Sequence, residues 1–342
     1  MAIVRHLIVE RQCFISKHQG RLKVLRGKET VAQAPLMHLE SVLVTGSGVT
    51  LSSDAIAACC SGGIPIHFVD ELGRAYGALY SSGLIGTIRT RREQLAAYHD
   101  QRALTIARAL TSAKLQNQAG LLRYMAKYRK ESAPESFVRL REAMTEILVH
   151  ESRVARVGEG ATHIDELREP LMLLEAHAAQ HYWRGFATLL PEGIPWPGRE
   201  GRGSRDAANS VINYAYGILY NEIERAILLA GLDPYAGFVH ADRPGKYSLV
   251  LDMVEPFRQP VADRAILNFL GKGGAIEQDE KGWLSEGTRK ELAERVLERL
   301  DRPVRHDDKH LPLRHLIQQQ ARSLATFVRG ERGTFDPYAA RW

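Results

Sequence analysis

The sequence predicts an α+β fold in which a small β-rich domain precedes a larger helical domain. Short apolar runs separated by turn residues occupy residues 1–80, which is typical of strands. From about residue 87 onwards, apolar residues recur at helical spacing between breaks at glycine and proline. The length of 342 residues is enough for two domains with separate cores. We therefore expect a β-sandwich or sheet domain at 1–85 and an all-α domain at 86–342.

The predicted strands lie where alternating or continuous apolar runs end at glycine-rich turns. Residues 6–27 predict two strands joined by a turn at 18–20. Ser52, Ser53 and Asp54 are candidate capping residues for a short helix that reaches Cys60 and ends at the glycine pair Gly62 and Gly63. Further strands are predicted at residues 41–44, 64–69 and 75–80.

The helical part begins where the apolar period changes, close to residues 81–83. Apolar spacing predicts helices at 87–112, 114–129, 135–151, 165–189, 208–230, 248–256, 260–271, 286–301 and 311–329. The tail at 330–342 is aromatic and charged, so it is either a loose end or a segment that becomes ordered on binding.

The composition is that of a soluble protein, with 44% hydrophobic and 25% charged residues. No apolar run reaches the length of a membrane span, and charge interrupts the N-terminus too early for a signal peptide. The 3 cysteines include an adjacent pair and no C-x-x-C motif, which indicates reduced thiols. We expect a cytoplasmic protein without a membrane partner.

Positive charge is concentrated in one stretch. The net charge is +6, but residues 86–130 hold 10 Lys or Arg against 2 acidic residues, an excess of 8. This excess predicts a surface for a polyanion, and nucleic acid is the polyanion we expect. The alternative is a solvated helix face that binds nothing.

A second basic segment, residues 191–208, is rich in glycine and proline and is predicted to be a loop. It carries Arg199, Arg202 and Arg205. Its position directly before the helix at 208–230 favours a loop that becomes ordered on nucleic acid over a plain connector.

Three residues in the stretch 240–255 are candidates for a metal site. Asp252 and Glu255 lie three positions apart on one predicted helix, so both point from the same side and repel each other unless a cation intervenes. His240 precedes them by a short turn. Oxygen ligands with one imidazole and no thiolate suit Mg²⁺ or Mn²⁺. A solvated pair of carboxylates is the alternative, although the apolar neighbours of Asp252 make a free carboxylate costly there.

Glu175 is the remaining candidate. It lies within a predominantly apolar part of the helix predicted at 165–189. A glutamate in this setting is either on the wet side of an amphipathic helix or a buried ligand, and its spacing does not distinguish the two.

Four motifs in order resemble the CRISPR-associated integrase of spacer acquisition. They are E-A-x-A-A-x-x-Y-W at 175–183, N-x-x-x-N-Y-x-Y at 209–216, A-G-L-D-P-Y-x-G-F-x-H at 230–240 and S-L-V-L-D-x-x-E-P-F-R at 248–258. The layout of a small β domain followed by a helical domain is also similar to that family along nearly the whole chain.

The resemblance implies that Glu175, His240 and Glu255 bind a divalent metal, Mg²⁺ or Mn²⁺, and that Asp252 belongs to the catalytic site, where it serves a second ion or the nucleophile. Some members have aspartate where Glu255 stands. Asn209, Asn213 and Tyr216 are expected to be structural or to orient the ligands. Arg243 and Lys246 are expected to clamp phosphate; Arg258 either joins them or forms a salt bridge with Glu255 or Asp263.

The same resemblance implies a homodimer that acts on double-stranded DNA with a small ferredoxin-like CRISPR-associated partner. The implied reaction joins DNA fragments into the repeat array by transesterification from a 3′-hydroxyl, with endonuclease activity at the same site. Two other functions remain open at this point: a stand-alone nuclease on branched or single-stranded DNA, and a DNA-binding scaffold without catalysis.

Overall fold

The computed structural model describes residues 4–70, 75–80, 88–201, 203–306 and 308–342. The domain boundary expected near residue 85 and the candidate Arg202 lie outside the described residues.

Two four-stranded sheets form the N-terminal part. The first has β1 (His6–Val9), β5 (Ser41–Val44) and β7 (Ile66–Val69) in parallel, with β8 (Ala75–Leu79) antiparallel at its edge. The second pairs β4 (Glu29–Pro35), β3 (Arg21–Arg26), β2 (Phe14–His18) and β6 (Thr50–Leu51) in that order. Apolar side chains of both sheets and of the helix α1 (Ser53–Ser61) share one core. The turn predicted at 18–20 is confirmed between β2 and β3. Residues 6–27 hold three strands rather than the predicted two, because a turn at residues 11–12 separates β1 from β2.

The remainder of the described chain is mostly helical, so the predicted α+β fold class is confirmed. Its helices are α2 (Ile88–Ala97), α3 (Gln101–Ala126), α4 (Pro134–Glu151), α5 (Ile164–Ala187), α6 (Ala207–Leu229), α7 (Ser248–Val254), α8 (Arg264–Gly271), α9 (Glu286–Asp301) and α10 (Leu313–Val328). A 3₁₀ turn, Glu255–Phe257, and a π-helical turn, Arg258–Asp263, connect α7 to α8.

The helical part differs from the prediction in two features. The break expected near residue 113 is absent, because α3 is continuous and Asp100 caps its N-terminus through the backbone N–H of Arg102. The hairpin of β9 (Pro303–His306) and β10 (Lys309–Pro312), which interrupts the helices before α10, was not predicted.

Most of α6 is buried, and this helix packs against α7, α9, α10 and the π-helical turn. Apolar residues surround it on nearly all sides, as expected for a helix in the middle of a core. The tail folds back rather than hanging free: Tyr338 stacks on Phe257 with ring centroids 5.5 Å apart, and Asn117 of α3 donates to the carbonyls of Pro256 and Tyr338. Within the described part of the chain, no helix combines the length and apolarity that a bilayer crossing requires.

Candidate metal centre and nucleic-acid interface

Two of the predicted metal ligands meet at a lysine. Glu175 comes from the middle of α5, and Glu255 is the first residue after α7. The ammonium of Lys114, on α3, forms salt bridges with both carboxylates, 2.7 Å from Glu255 Oε2 and in direct contact with Glu175 Oε1. The side chains of Lys114 and Glu255 are only 7% and 6% exposed, so the centre of this cluster is largely shielded from solvent.

Lys114 is the residue that the sequence analysis missed, because we counted it only as part of a basic surface. A signal was present in the spacing. Leu110, Gln118 and Leu121 stand four before, four after and seven after Lys114, and all three are buried. Residues at these offsets share a helix face, so Lys114 lies on the buried stripe of α3. A lysine on such a stripe requires a buried acidic partner.

The charges of the cluster support one another. Burial alone lowers the pKa of Lys114, but Glu175 and Glu255 outweigh it, so the pKa is raised. Burial alone raises the pKa of Glu255, but Arg258, Lys114 and His240 outweigh it, so the pKa is lowered. Arg258 and Lys114, the two cations that contact Glu255, therefore favour its ionised form.

The segment before α7 positions His240. Asp252 is fully buried, and its Oδ2 accepts the backbone N–H groups of Phe238 and Val239 at 2.5 and 3.0 Å. Its Oδ1 accepts the backbone N–H of His240 at 2.9 Å and lies 2.7 Å from His240 Nδ1. Both oxygens of Asp252 are thus occupied by protein groups.

This arrangement decides which nitrogen of His240 is available. A carboxylate only accepts hydrogen bonds, so Nδ1 carries the proton that it donates to Asp252. Nε2 of the neutral imidazole then keeps its lone pair. The ring is 23% exposed, and only its positively charged form lowers the pKa of the Glu255 carboxyl.

The residues present fit a divalent ion of the Mg²⁺ or Mn²⁺ type. Glu175 and Glu255 converge on one cation position, which Lys114 fills in this structure. His240 offers one imidazole nitrogen in the electrostatic neighbourhood of Glu255, although the ligand atoms of Glu175, His240 and Glu255, all described residues, do not all lie within 4.8 Å of one another. Carboxylate oxygens with one imidazole and no thiolate form the donor set that these ions accept.

A different group of ligand atoms lies close together elsewhere. Among the described residues, His6, Glu40 and Asp301 have ligand atoms within 4.8 Å of one another. Arg314 already supplies a cation there, since its Nε lies 3.1 Å from Asp301 and 3.5 Å from Glu40. We interpret this group as an ion-pair network that joins β1 to α9 and α10, separate from the predicted centre.

Arg258 contacts residues of the candidate metal centre and its surroundings rather than an open surface. Its Nη1 pairs with Glu255 Oε1 at 2.8 Å, and its Nη2 donates to the Tyr220 hydroxyl at 2.8 Å. The guanidinium also lies 5.0 Å from the centroid of the Tyr216 ring. Of the roles open to Arg258 on sequence grounds, the salt bridge with Glu255 is the one present here.

Tyr216 contacts the π-helical turn and none of the predicted ligands. Its hydroxyl donates to Asp263 Oδ1 at 2.8 Å, while Tyr182 donates to Oδ2 at 2.5 Å. Burial raises the pKa of Asp263 to about 6, although both phenol hydrogen bonds oppose that shift. Tyr216 thereby anchors the turn that holds Arg258.

Asn209 and Asn213 hold the glycine-rich loop instead of orienting ligands. Arg199 donates to Asn209 Oδ1 at 3.0 Å and to Asn213 Oδ1 at 2.7 Å. The amide nitrogens of these asparagines donate to the carbonyls of Gly198 and Gly201. These hydrogen bonds tie the described part of the loop to α6. Arg205 points elsewhere, over the Trp283 ring at 4.8 Å.

Basic side chains line a cleft of about 550 Å³ beside the centre. Arg199, Arg243 and Lys246 contribute cations, and Glu224 is the carboxylate among its lining residues. Tyr216 and Tyr220, which contact Arg258, form part of its wall, and residues of β8 form another part. The cleft thus brings three predicted phosphate-binding residues to one concave surface.

The basic stretch at 86–130 is less available than its charge indicates. Arg102 pairs with Asp100 and Glu93, Arg108 donates to the carbonyls of Val157 and Gly158, and Lys114 is buried. The excess of 8 therefore overstates the exposed charge, because these three residues serve the packing of the helices.

Fold and site together define a class of protein: an α+β chain whose helical part carries a carboxylate–imidazole centre beside a basic cleft. Residues 7–298 match the family described as CRISPR associated protein Cas1. The chain is 35% identical over 350 residues to a CRISPR-associated endonuclease Cas1 of Archaeoglobus fulgidus, with 99% of this chain and 97% of that protein covered. A relative of the same description from Francisella tularensis subsp. novicida is 31% identical, with 99% and 100% covered. The chain therefore belongs to the Cas1 family, and the predicted resemblance is confirmed.

Solved structures share this fold. A casposase bound to integration product superimposes with a TM-score of 0.77 at 19% identity, covering 97% of this chain and 93% of that one. A Cas1 protein from Thermotoga maritima gives 0.74 at 20% identity, with 98% and 99% covered. A chain of a Cas6-RT-Cas1–Cas2 complex gives 0.76 at 22% identity, covering all of this chain and 37% of that one. At these identities the similarity concerns the fold.

Proposed function

We propose that this protein is a divalent-metal-dependent DNA integrase and endonuclease of CRISPR adaptation. The observation that carries the proposal is the convergence of Glu175 and Glu255, from distant parts of a Cas1-family chain, on one buried cation position. His240 acts electrostatically on Glu255 and is the third residue that we propose for the site. The endonuclease names of the relatives and the casposase with its integration product support the same reaction class.

In this proposal Glu175, Glu255 and His240 Nε2 hold Mg²⁺ or Mn²⁺. When bound, the ion lowers the pKa of an attacking DNA 3′-hydroxyl and offsets the negative charge that develops on the phosphate. Asp252 keeps the proton of His240 on Nδ1, so that Nε2 stays directed to the site. Arg258 holds Glu255 in place and its charge favours the anionic transition state.

DNA enters along the basic cleft. Arg199, Arg243 and Lys246 bind phosphates there. Arg202 and Arg205 are further phosphate-binding candidates on sequence grounds. The chain acts as a homodimer in the cytoplasm, with a small ferredoxin-like CRISPR-associated partner. The Cas6-RT-Cas1–Cas2 complex, in which a chain of the same fold is assembled with Cas2, supports such a partner. Transesterification joins a fragment to the repeat array, and water in place of the 3′-hydroxyl yields a cut strand.

Strand transfer of a short labelled duplex into a supercoiled repeat-bearing plasmid tests this function. The assay contains the partner protein and Mn²⁺. We expect joined product with the wild type and at least a hundredfold less with His240→Ala, because the Nε2 ligand is gone. DNA affinity is expected to persist in the variant.

His18→Ala is the matched control, since His18 is exposed on β2 of the second sheet. Joining that survives His240→Ala would show that the site is wrong. Cut strands without joined product would favour the stand-alone nuclease, and DNA binding that withstands chelation without any reaction would favour the scaffold.

A further inference from the structure

The position between Glu175 and Glu255 is filled by a group of the protein itself. The Lys114 ammonium contacts both carboxylates. Lys114 is buried in the interior of the long helix α3, so the position of its Cα is fixed by that helix. Arg258 adds a second cation on the other oxygen of Glu255. Two carboxylates and two cations therefore balance before any ion arrives.

A divalent ion held by Glu175 and Glu255 requires the same oxygens that Lys114 now contacts. An ammonium and a dication cannot share this position, because like charges a few ångströms apart in a shielded site repel strongly. Binding of the ion therefore requires that the ammonium withdraws from at least one carboxylate.

We propose that Lys114 is a built-in competitor for the metal, and that its displacement couples metal binding to DNA binding. The inference rests on the proposed function, since it takes Glu175 and Glu255 as ligands. The displaced ammonium and the bound ion together leave the site with excess positive charge. A DNA phosphate is the anion that offsets this charge, so the ion binds weakly to the free protein and more tightly once DNA is present.

The coupling is reciprocal by thermodynamic linkage: DNA that favours the ion is itself bound more tightly when the ion is present. The role assigned to Lys114 is to make metal binding depend on DNA, so that the protein binds the ion chiefly when DNA is already bound. Lys114 acts on the ion and the phosphate through charge, and its four-carbon stem lets the ammonium shift while α3 stays in place.

The test is a titration of the whole chain with Mn²⁺. Electron paramagnetic resonance measures the concentration of free Mn²⁺ at each step. Without DNA we expect Lys114→Met to bind Mn²⁺ at least tenfold more tightly than the wild type. Addition of a short duplex is expected to tighten binding at least tenfold for the wild type and less than threefold for Lys114→Met. No enzymatic turnover enters either readout.

Two further variants control for charge and for folding. Lys127→Met removes one exposed lysine 13 residues further along the chain, about 20 Å away along the helix direction, and is expected to bind like the wild type. Lys114→Gln keeps a hydrogen-bond donor beside the carboxylates without the charge. It is expected to bind as tightly as Lys114→Met, and it replaces that variant if Lys114→Met does not fold.

The outcomes separate this inference from the proposed function. Equal or weaker Mn²⁺ binding by the Lys114 variants, with binding still lost in His240→Ala, overturns the competitor role and leaves the metal site standing. Absence of any His240-dependent Mn²⁺ binding in the wild type and the Lys114 variants overturns both.

Discussion

Asp252 is a fully buried carboxylate whose two oxygens both accept hydrogen bonds from the protein. Each of its oxygens accepts two N–H groups, and together these fix the backbone at 238–240 and the ring of His240. The family resemblance implied a direct role for Asp252 with a second ion or the nucleophile. Its complete burial and its four partners lead us to propose a positioning role instead.

Asp252→Asn is expected to lower both stability and activity. The amide presents one oxygen and one NH₂ group, so two of the four N–H donors would face a donor and lose their partner. We expect the free energy of unfolding to fall by about 3 kcal/mol and joining to slow at least tenfold. Urea unfolding and the strand-transfer assay measure the two effects, with the exposed Asp54→Asn as the control. A fully stable, active Asp252→Asn would contradict the positioning role.

At the scale of elements, the segment before α7 approaches that helix so closely that position 237 has no room for a side chain. A Cβ on Gly237 would lie 2.7 Å from Ser248 and 2.9 Å from Asp252 Oδ2. These distances are below van der Waals contact, so the chain at 237–240 would have to shift away from α7. That shift would carry His240 with it.

Gly237→Ala is therefore expected to impair the site without removing any functional group. We expect a loss of about 2 kcal/mol in unfolding free energy and at least tenfold slower joining, because the backbone must move. Gly271→Ala is the control: it lies at the end of α8, where a Cβ meets nothing within 4 Å. Equal activity of the two alanine variants would show that the close approach of the segment to α7 is unimportant.

At the scale of the whole molecule, the sheet region meets the helical part at a buried histidine. His67 of β7 is 3% exposed, and no hydrogen-bond partner of either ring nitrogen is found among the described residues. Burial lowers the pKa of His67 to about 4; Arg225 and Arg314 act in the same direction and Glu222 opposes them. The unfolded chain therefore binds a proton between pH 4 and 6.5 that the folded chain does not.

The stability that neutral His67 contributes is complete above pH 6.5. It is lost as the pH falls towards 4, and the loss over that range is about 3 kcal/mol. We expect His67→Leu to lose less stability than the wild type between pH 7.5 and pH 5 in urea melts. His18→Leu, on the exposed face of β2, is expected to retain the wild-type dependence. Asp263, with its pKa raised to about 6, stabilises the fold as the pH falls, and it does so in all three proteins. The difference in pH dependence between His67→Leu and the other two proteins therefore reports on His67 alone. An unchanged slope in His67→Leu would refute this assignment.

The change from strands to helices was predictable because the apolar period reports which face of an element is buried, and that pattern is local. The helices near residues 135–151, 165–189 and 208–230 were found within about two residues for the same reason. The hairpin at 303–312 was not found, since its strands are short and only partly buried and leave no clear apolar alternation.

The candidate ligands Glu175, His240 and Glu255 were named from motif order and from the cost of carboxylates among apolar neighbours, which are properties of the chain itself. The role of Lys114 was decided only by tertiary packing: its contact with Glu175 spans 61 positions, and Glu255 lies further still along the chain. Likewise, the spacing of Asp252 and Glu255 indicated one shared face, but packing buried Asp252 against 238–240 and turned Glu255 towards Lys114 and Arg258. Spacing along the chain reports the face of one helix, whereas burial and charge partners depend on which distant elements pack against that face.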